Sequence, residues 1–294
     1  MANVWQIAGG AMTFEAGGVA TATTTQSTVT APGAANAKGA WLELIASTAN
    51  EAQGFFLTTT LTTTASRQVL VDIGLGAAGS EVVLLSNHAM SLGEMAHSIC
   101  SFIPLRIPAS SRVAVRYQRN NTATLTASVH LVSASGATGY ARETETWGAD
   151  TSDSGGTAVT PGQNDAKGSY VQLTAASAKN MHAILIHIHG GDFTLSQNLV
   201  FLDIATGGAG SETVLVPDLL VFSNAADSQY RPAVIGPIPC YIPAGTRVAV
   251  RAQDTDATVE LFDVSIIAFG DFAPPTSPPA ATAARSSIRI RTIG

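Results

Sequence analysis

His182, His187 and His189 form the densest group of metal- or proton-binding side chains in the chain. They lie in and beside the run Ala183-Ile-Leu-Ile-His-Ile-His189, whose alternation reads as a β-strand. On a strand, His187 and His189 project from one face, a geometry that suits a metal ion or a general base. Asp192 is a carboxylate within reach of such a site. Against this, the chain contains an internal repeat, and the corresponding stretch of the other copy holds Phe and Thr residues. A solvent-facing or interface strand is therefore the reading adopted for the histidines.

Three further patterns resemble chemistry. Asp72 and Glu81 flank a glycine loop and return as Asp203 and Glu212 at the same separation. Paired carboxylates can hold calcium or work as acid and base. Few other oxygen ligands stand nearby, and a repeated turn equally needs carboxylates that accept backbone N–H groups. Gly74-Leu-Gly76-Ala-Ala-Gly79 matches a dinucleotide fingerprint in letters only. That fingerprint must open a helix, whereas Ser80-Glu-Val-Val-Leu-Leu85 reads as another strand, and Ala205 replaces the first glycine in the second copy. The glycines are expected to give positive φ in a hairpin loop. Finally, Arg112/Arg116 and Arg247/Arg251 each share a strand face. They could grip acidic sugars or phosphate, but ion pairs with a neighbouring strand or subunit are the expectation. No Ser-His-Asp, Cys-His or close carboxylate pair has supporting context, so no enzyme and no cofactor are expected.

The elements that must position these residues come from a duplication. Ile103–Gln118 returns as Ile238–Gln253 with eleven of sixteen positions identical. Val71–Leu84 returns as Leu202–Leu215, and Pro32–Gly39 as Pro161–Gly168. The three blocks keep their order, and their spacing widens only slightly along the chain, as small loop insertions would produce. A repeat this long, the size of a whole domain, is no solenoid unit. The expected division is an N-terminal segment 1–19, module 1 over 20–140, a linker or first strand at 141–149, module 2 over 150–270, and an arm over 271–294. Trp41–Ile45, Tyr170–Thr174, Arg112–Arg116 and Arg247–Arg251 alternate as half-buried strands, and the Thr-rich run Leu57–Thr64 favours extended chain. Turn signals recur about every ten residues and no long amphipathic helix emerges. The fold class expected is all-β: two tandem antiparallel β-sandwich modules, jelly-roll-like, with an extended C-terminal arm.

That arm is Pro-rich and ends Ser286-Ser-Ile-Arg-Ile-Arg-Thr-Ile-Gly294. Ile288, Arg289, Ile290 and Arg291 make a short basic strand on a tether, suited to adding to a neighbour's sheet edge. Composition points the same way. Hydrophobic residues make up 46% of the 294 and charged residues only 12%, about half the usual share. A disordered chain is excluded, and a surface this poor in charge invites contact with protein. The net charge of −6 speaks against nucleic acid as a partner. No apolar run is long enough to span a membrane. No basic residue precedes an apolar run at the start, so no signal peptide is expected. Cys100 and Cys240 have no metal spacing and fall at non-equivalent places in the repeat.

The signatures Val71–Glu81 and Ile107–Arg116, repeated at Leu202–Glu212 and Ile242–Arg251, resemble modules of virion proteins from tailed bacteriophages. The resemblance covers both modules but not the arm, and the family offers no catalytic motif to transfer. It implies a structural component of the virion, assembled in the host cytoplasm: a head decoration, collar or tail protein. Its partners would be other virion proteins and copies of itself. A receptor-binding module for a host-surface glycan is the alternative, weakened because only 6% of residues are aromatic.

Overall fold

The computed structural model describes residues 12–18, 26–61, 68–91, 99–134, 140–189, 199–223, 233–257 and 261–272. Among them there is no helix. Module 1 consists of β1 (Met12–Gly17), β2 (Ser27–Val29), β3 (Leu42–Ile45), β4 (Gly54–Leu61), β5 (Gln68–Leu75), β6 (Val82–Ser91), β7 (Ile99–Ile103), β8 (Val113–Arg119) and β9 (Leu125–Ala134). Module 2 consists of β10 (Glu143–Trp147), β11 (Ala149–Asp150), β12 (Gly155–Val159), β13 (Val171–Thr174), β14 (Met181–His189), β15 (Leu199–Thr206), β16 (Thr213–Ser223), β17 (Ala233–Ile242), β18 (Val248–Asp254) and β19 (Phe262–Gly270).

Each module is two facing antiparallel sheets. In module 1 the order β2-β9-β4-β7 faces β3-β8-β5-β6; in module 2, β12-β19-β14-β17 faces β13-β18-β15-β16. The two orders match strand for strand, and eight strands wound this way form a jelly roll. An extra strand joins each first sheet: β1 pairs with β9, and β10 pairs with β19. Within 141–149, Glu143–Trp147 thus pairs with a strand of module 2 while Ala141 bridges to Leu105 of module 1, and β1, upstream of residue 20, pairs with a strand of module 1.

Alternation explains the core. Val113, Val115 and Tyr117 of β8 meet Val69, Val71 and Ile73 of β5 inside module 1. Val248, Val250 and Ala252 meet Leu202 and Ile204 inside module 2. The intervening residues of β5 break the usual half-buried pattern, because every residue from Val69 to Gly74 is buried. Two of them are covered from within the module, Asp72 by Lys38 and Arg116 and Gly74 by the Trp41 ring, and the second module adds a further contact. Ala183 and Leu185 on β14, with Ile267 and Phe269 on β19, point away from their own core and join the core cluster of module 1. Each of the three larger side chains contributes about 1.5–3 kcal/mol to that union.

The same contact covers the β6 edge, which an isolated sandwich would leave open. Thr144 Oγ1 on β10 donates to the Leu84 carbonyl at 3.0 Å, and Thr146 donates to that of Ser86. Gln118 Nε2 donates to the Thr151 carbonyl at 2.9 Å, and Gln68 donates to Asp263. The imidazoles of His88 and His187 meet edge to face, 4.5 Å between centroids.

Candidate functional site

The repeated signature residues converge on the outer face of the β3-β8-β5-β6 sheet and again on its counterpart. In module 1 the Asp72 carboxylate is nearly fully buried on β5. It accepts from Lys38 Nζ at 2.7 Å, Arg116 Nε at 2.9 Å and the Asn87 backbone N–H at 2.8 Å. In module 2 Asp203 accepts from Lys167 Nζ, Arg251 Nε and the Asp218 N–H, all at 2.9 Å. Asn87 and Asp218 occupy one extra residue in β6 and β16, at φ of 50° and 46°. Asn and Asp tolerate that left-handed conformation better than other side chains, and it turns their N–H onto the buried carboxylate. The guanidinium of Arg116 lies 4.5 Å over the Trp41 ring, and that of Arg251 lies 4.5 Å over Tyr170.

A second repeated cluster holds the hairpin loop. Arg112 donates to Glu43 at 2.6 Å, to Glu81 at 2.9 Å and to the Gly76 carbonyl at 3.2 Å. Arg247 donates to Gln172 at 2.9 Å, to Glu212 at 3.0 Å and to the Gly207 carbonyl at 3.0 Å. Gly76 and Gly207 sit at φ of 111° and 107°, which only glycine adopts freely. Gly74 has a different role from the one expected. It lies within β5, and a Cβ there would approach the Trp41 ring to 2.8 Å. Module 2 has Ala205 at this position and the smaller Tyr170 at that of Trp41.

The electrostatics differ between copies. Burial pulls the Lys38 ammonium below its ordinary range despite the Asp72 carboxylate beside it. Lys167 also loses hydration, but two carboxylates, Asp203 and Asp218, raise it. Burial opposes ionisation of Asp203, yet the Asp218 N–H, Lys167 and Arg251 together hold it below the usual carboxylate range. These carboxylates are engaged by cations and backbone N–H groups of their own module, which leaves neither pair arranged as a calcium cage or an acid–base couple.

Arg112, Arg116, Arg247 and Arg251 thus have their charges met by neighbouring strands of the same module. His187 is buried between the modules against His88 and not on a solvent face. His182 lies beside Tyr241 and Phe272 instead of with His187. The side chain of His189, Asp192, and the arm residues Ile288, Arg289, Ile290 and Arg291 lie outside the described residues. Among the described residues no three His, Cys, Asp or Glu side chains gather to hold a metal ion. Among the described residues no helix is long and apolar enough to cross a membrane. Lys38, Lys167, Trp41 and Tyr170 complete the clusters; the signal for them was that both pairs recur at one common spacing.

No family model and no curated protein matches the chain. Among solved structures, PNGF-II is similar over 79% of this chain, at 8% identity and a TM-score of 0.37. The chain spans 59% of PNGF-II's length. The infectious bursal disease virus Gx strain structure matches over 90% of this chain and 73% of its own, at 8% identity and a TM-score of 0.26. The CBM22-1-CBM22-2 tandem domain of Paenibacillus barcinonensis Xyn10C matches over 87% and 91%, at 8% identity and a TM-score of 0.21.

Proposed function

We propose that the chain is a non-enzymatic structural component of a tailed-bacteriophage virion, decorating or connecting capsid or tail proteins through protein–protein contacts. The observation that carries this is how charge and apolar surface are distributed. The repeated arginines and lysines are engaged inside their own modules, while Phe14, Val82, Val214 and Leu220 stand exposed on outer strands. A surface arranged this way favours contact with protein over free solubility.

The resemblance of the repeated signatures to phage virion modules supplies the setting, and both jelly rolls supply rigid faces for assembly. The signature aromatics do not offer free stacking platforms for a sugar, because a guanidinium covers one face of Trp41 and of Tyr170. Quantitative mass spectrometry of purified particles tests the proposal, with the chain expected at a fixed, symmetric copy number. Its absence from washed particles would refute the role.

A further inference from the structure

The two modules meet through unlike surfaces: the β6 side of module 1 against the outer face of β10, β19 and β14 in module 2. Duplication means that each module carries a version of both surfaces. One of each is used inside the chain. The other two are the β16 side of module 2 and the outer face of β1, β9 and β4 in module 1.

Position by position, these two remaining surfaces correspond to the buried pair. Ala89 on β6 is 1% exposed; its equivalent on β16, Leu220, is 49% exposed. Leu70 is fully buried, whereas its equivalent Phe201 is partly exposed. On the opposite face, Thr144 is partly buried where its side chain meets Leu84; its equivalent Phe14 is 63% exposed. Leu185 is buried against module 1, and its equivalent Phe56 is only partly buried, beside Phe102. Ser86 and His88 of the covered strand correspond to Pro217 and Leu219. At the two most exposed positions the residue is larger and more apolar than its less exposed counterpart, Leu for Ala and Phe for Thr. Both replacements add apolar area on the two faces that the chain leaves uncovered.

We infer that a second copy of the chain docks head to tail, the β16 side of one copy seating on the β1–β9–β4 face of the next. Such a contact repeats the one between the modules and is heterologous, so successive copies close into a ring or extend as a filament. This deepens the structural role proposed above and rests on it for the biological setting. Leu220 and Phe14 are the two anchors.

The test is sedimentation velocity on the full chain and on two surface variants, Leu220→Glu and Phe14→Glu. The parent should show concentration-dependent association beyond the dimer. Each variant should stay monomeric at ten times the concentration at which the parent assembles. An equimolar mixture should then form a dimer and stop there, because each variant retains the face that the other has lost. Leu220→Ala and Phe14→Thr install the residues that the equivalent positions already hold, and they should weaken association at least tenfold with circular dichroism unchanged. A parent that stays monomeric, variants that assemble like it, or a mixture that does not dimerise would each overturn the docking mode. Normal complementation in a chain missing from particles would instead remove the virion role and leave the docking intact.

Discussion

Replacing Asp203 with Asn tests whether the repeated signature is a buried electrostatic clasp. Asp203 accepts three hydrogen bonds at 2.9 Å, from Lys167, Arg251 and the Asp218 N–H. Bonds to a charged group contribute about 1.5–3 kcal/mol each. Asn keeps an oxygen for the Asp218 N–H, so two of the three are lost as charge-assisted contacts. Lys167 and Arg251 are each about a quarter exposed and regain part of their hydration. The expected loss is therefore about 3 kcal/mol, at the lower end of the cost of breaking a buried pair. With a urea slope of about 1.5 kcal/mol/M, the module 2 midpoint falls by about 2 M. The pH dependence has a definite sign. The carboxyl is held below its ordinary range in the fold, so its stabilisation is present above about pH 4 and is lost as pH falls through the depressed value. Asp203→Asn should therefore be weaker at pH 7 and show a shallower acid limb than the parent. Urea unfolding followed by fluorescence at pH 7 and pH 3.5 measures both. A variant within about 0.5 kcal/mol of the parent at pH 7, or one with an unchanged acid limb, would refute the clasp.

Gly74→Ala should destabilise module 1 by about 1–2 kcal/mol, since overpacking against Trp41 exceeds the gain from removing a strand glycine. Adding Trp41→Tyr, which copies the Ala205/Tyr170 pair, should recover most of that loss in a double-mutant cycle of thermal melts; additive effects would contradict the pairing. Burial, then the nearby Asp153 charge, raises Asp263 to about 6 despite its bond from Gln68. Its contribution is full below about pH 4 and declines as pH rises through 6, so Asp263→Asn should gain about 1 kcal/mol on the parent between pH 5 and pH 7.5 in urea titrations. Burial also pushes the Cys240 thiol up to about 11, whereas Cys100 is exposed. Peptide mapping after brief iodoacetamide treatment at pH 7.5 should find Cys100 alkylated at least tenfold faster.

The duplication made most of this fold legible. Blocks repeated in one order at nearly constant spacing marked out the two modules, and alternation at Arg112–Arg116 and Arg247–Arg251 placed both as strands. The partners of those arginines were less accessible. Asp72 and Arg116 lie on adjacent strands but far apart in the chain, and alternation says which face a residue takes without saying which strand lies beside it. Lys38 and Trp41 complete the cluster from a third segment, Lys38 within the repeated block Pro32–Gly39 and Trp41 two residues beyond it. The Gly74-to-Ala205 change accompanies that of Trp41 to Tyr170, and only the fold sets the Trp41 ring against Gly74. The His88–His187 contact had no sequence signal, because periodicity is a property within modules and that contact lies between them.

The same distinction accounts for the low charge of the chain. A jelly roll that stands alone needs solvated charges along its outer strands to keep its edges from pairing. A duplicated one that packs side against face buries half of those surfaces within the chain. Module 1 accordingly places Leu70 and Ala89, and module 2 places Leu185 and Phe269, where a solitary module would carry charge. Were the remaining two surfaces destined for water, divergence after duplication should have put charge on them first, since solvation would act there and nowhere else. Instead Phe14 and Leu220 stand at those positions, while the signature lysines and arginines turn to carboxylates within each sheet. That is the pattern the proposed head-to-tail contact requires.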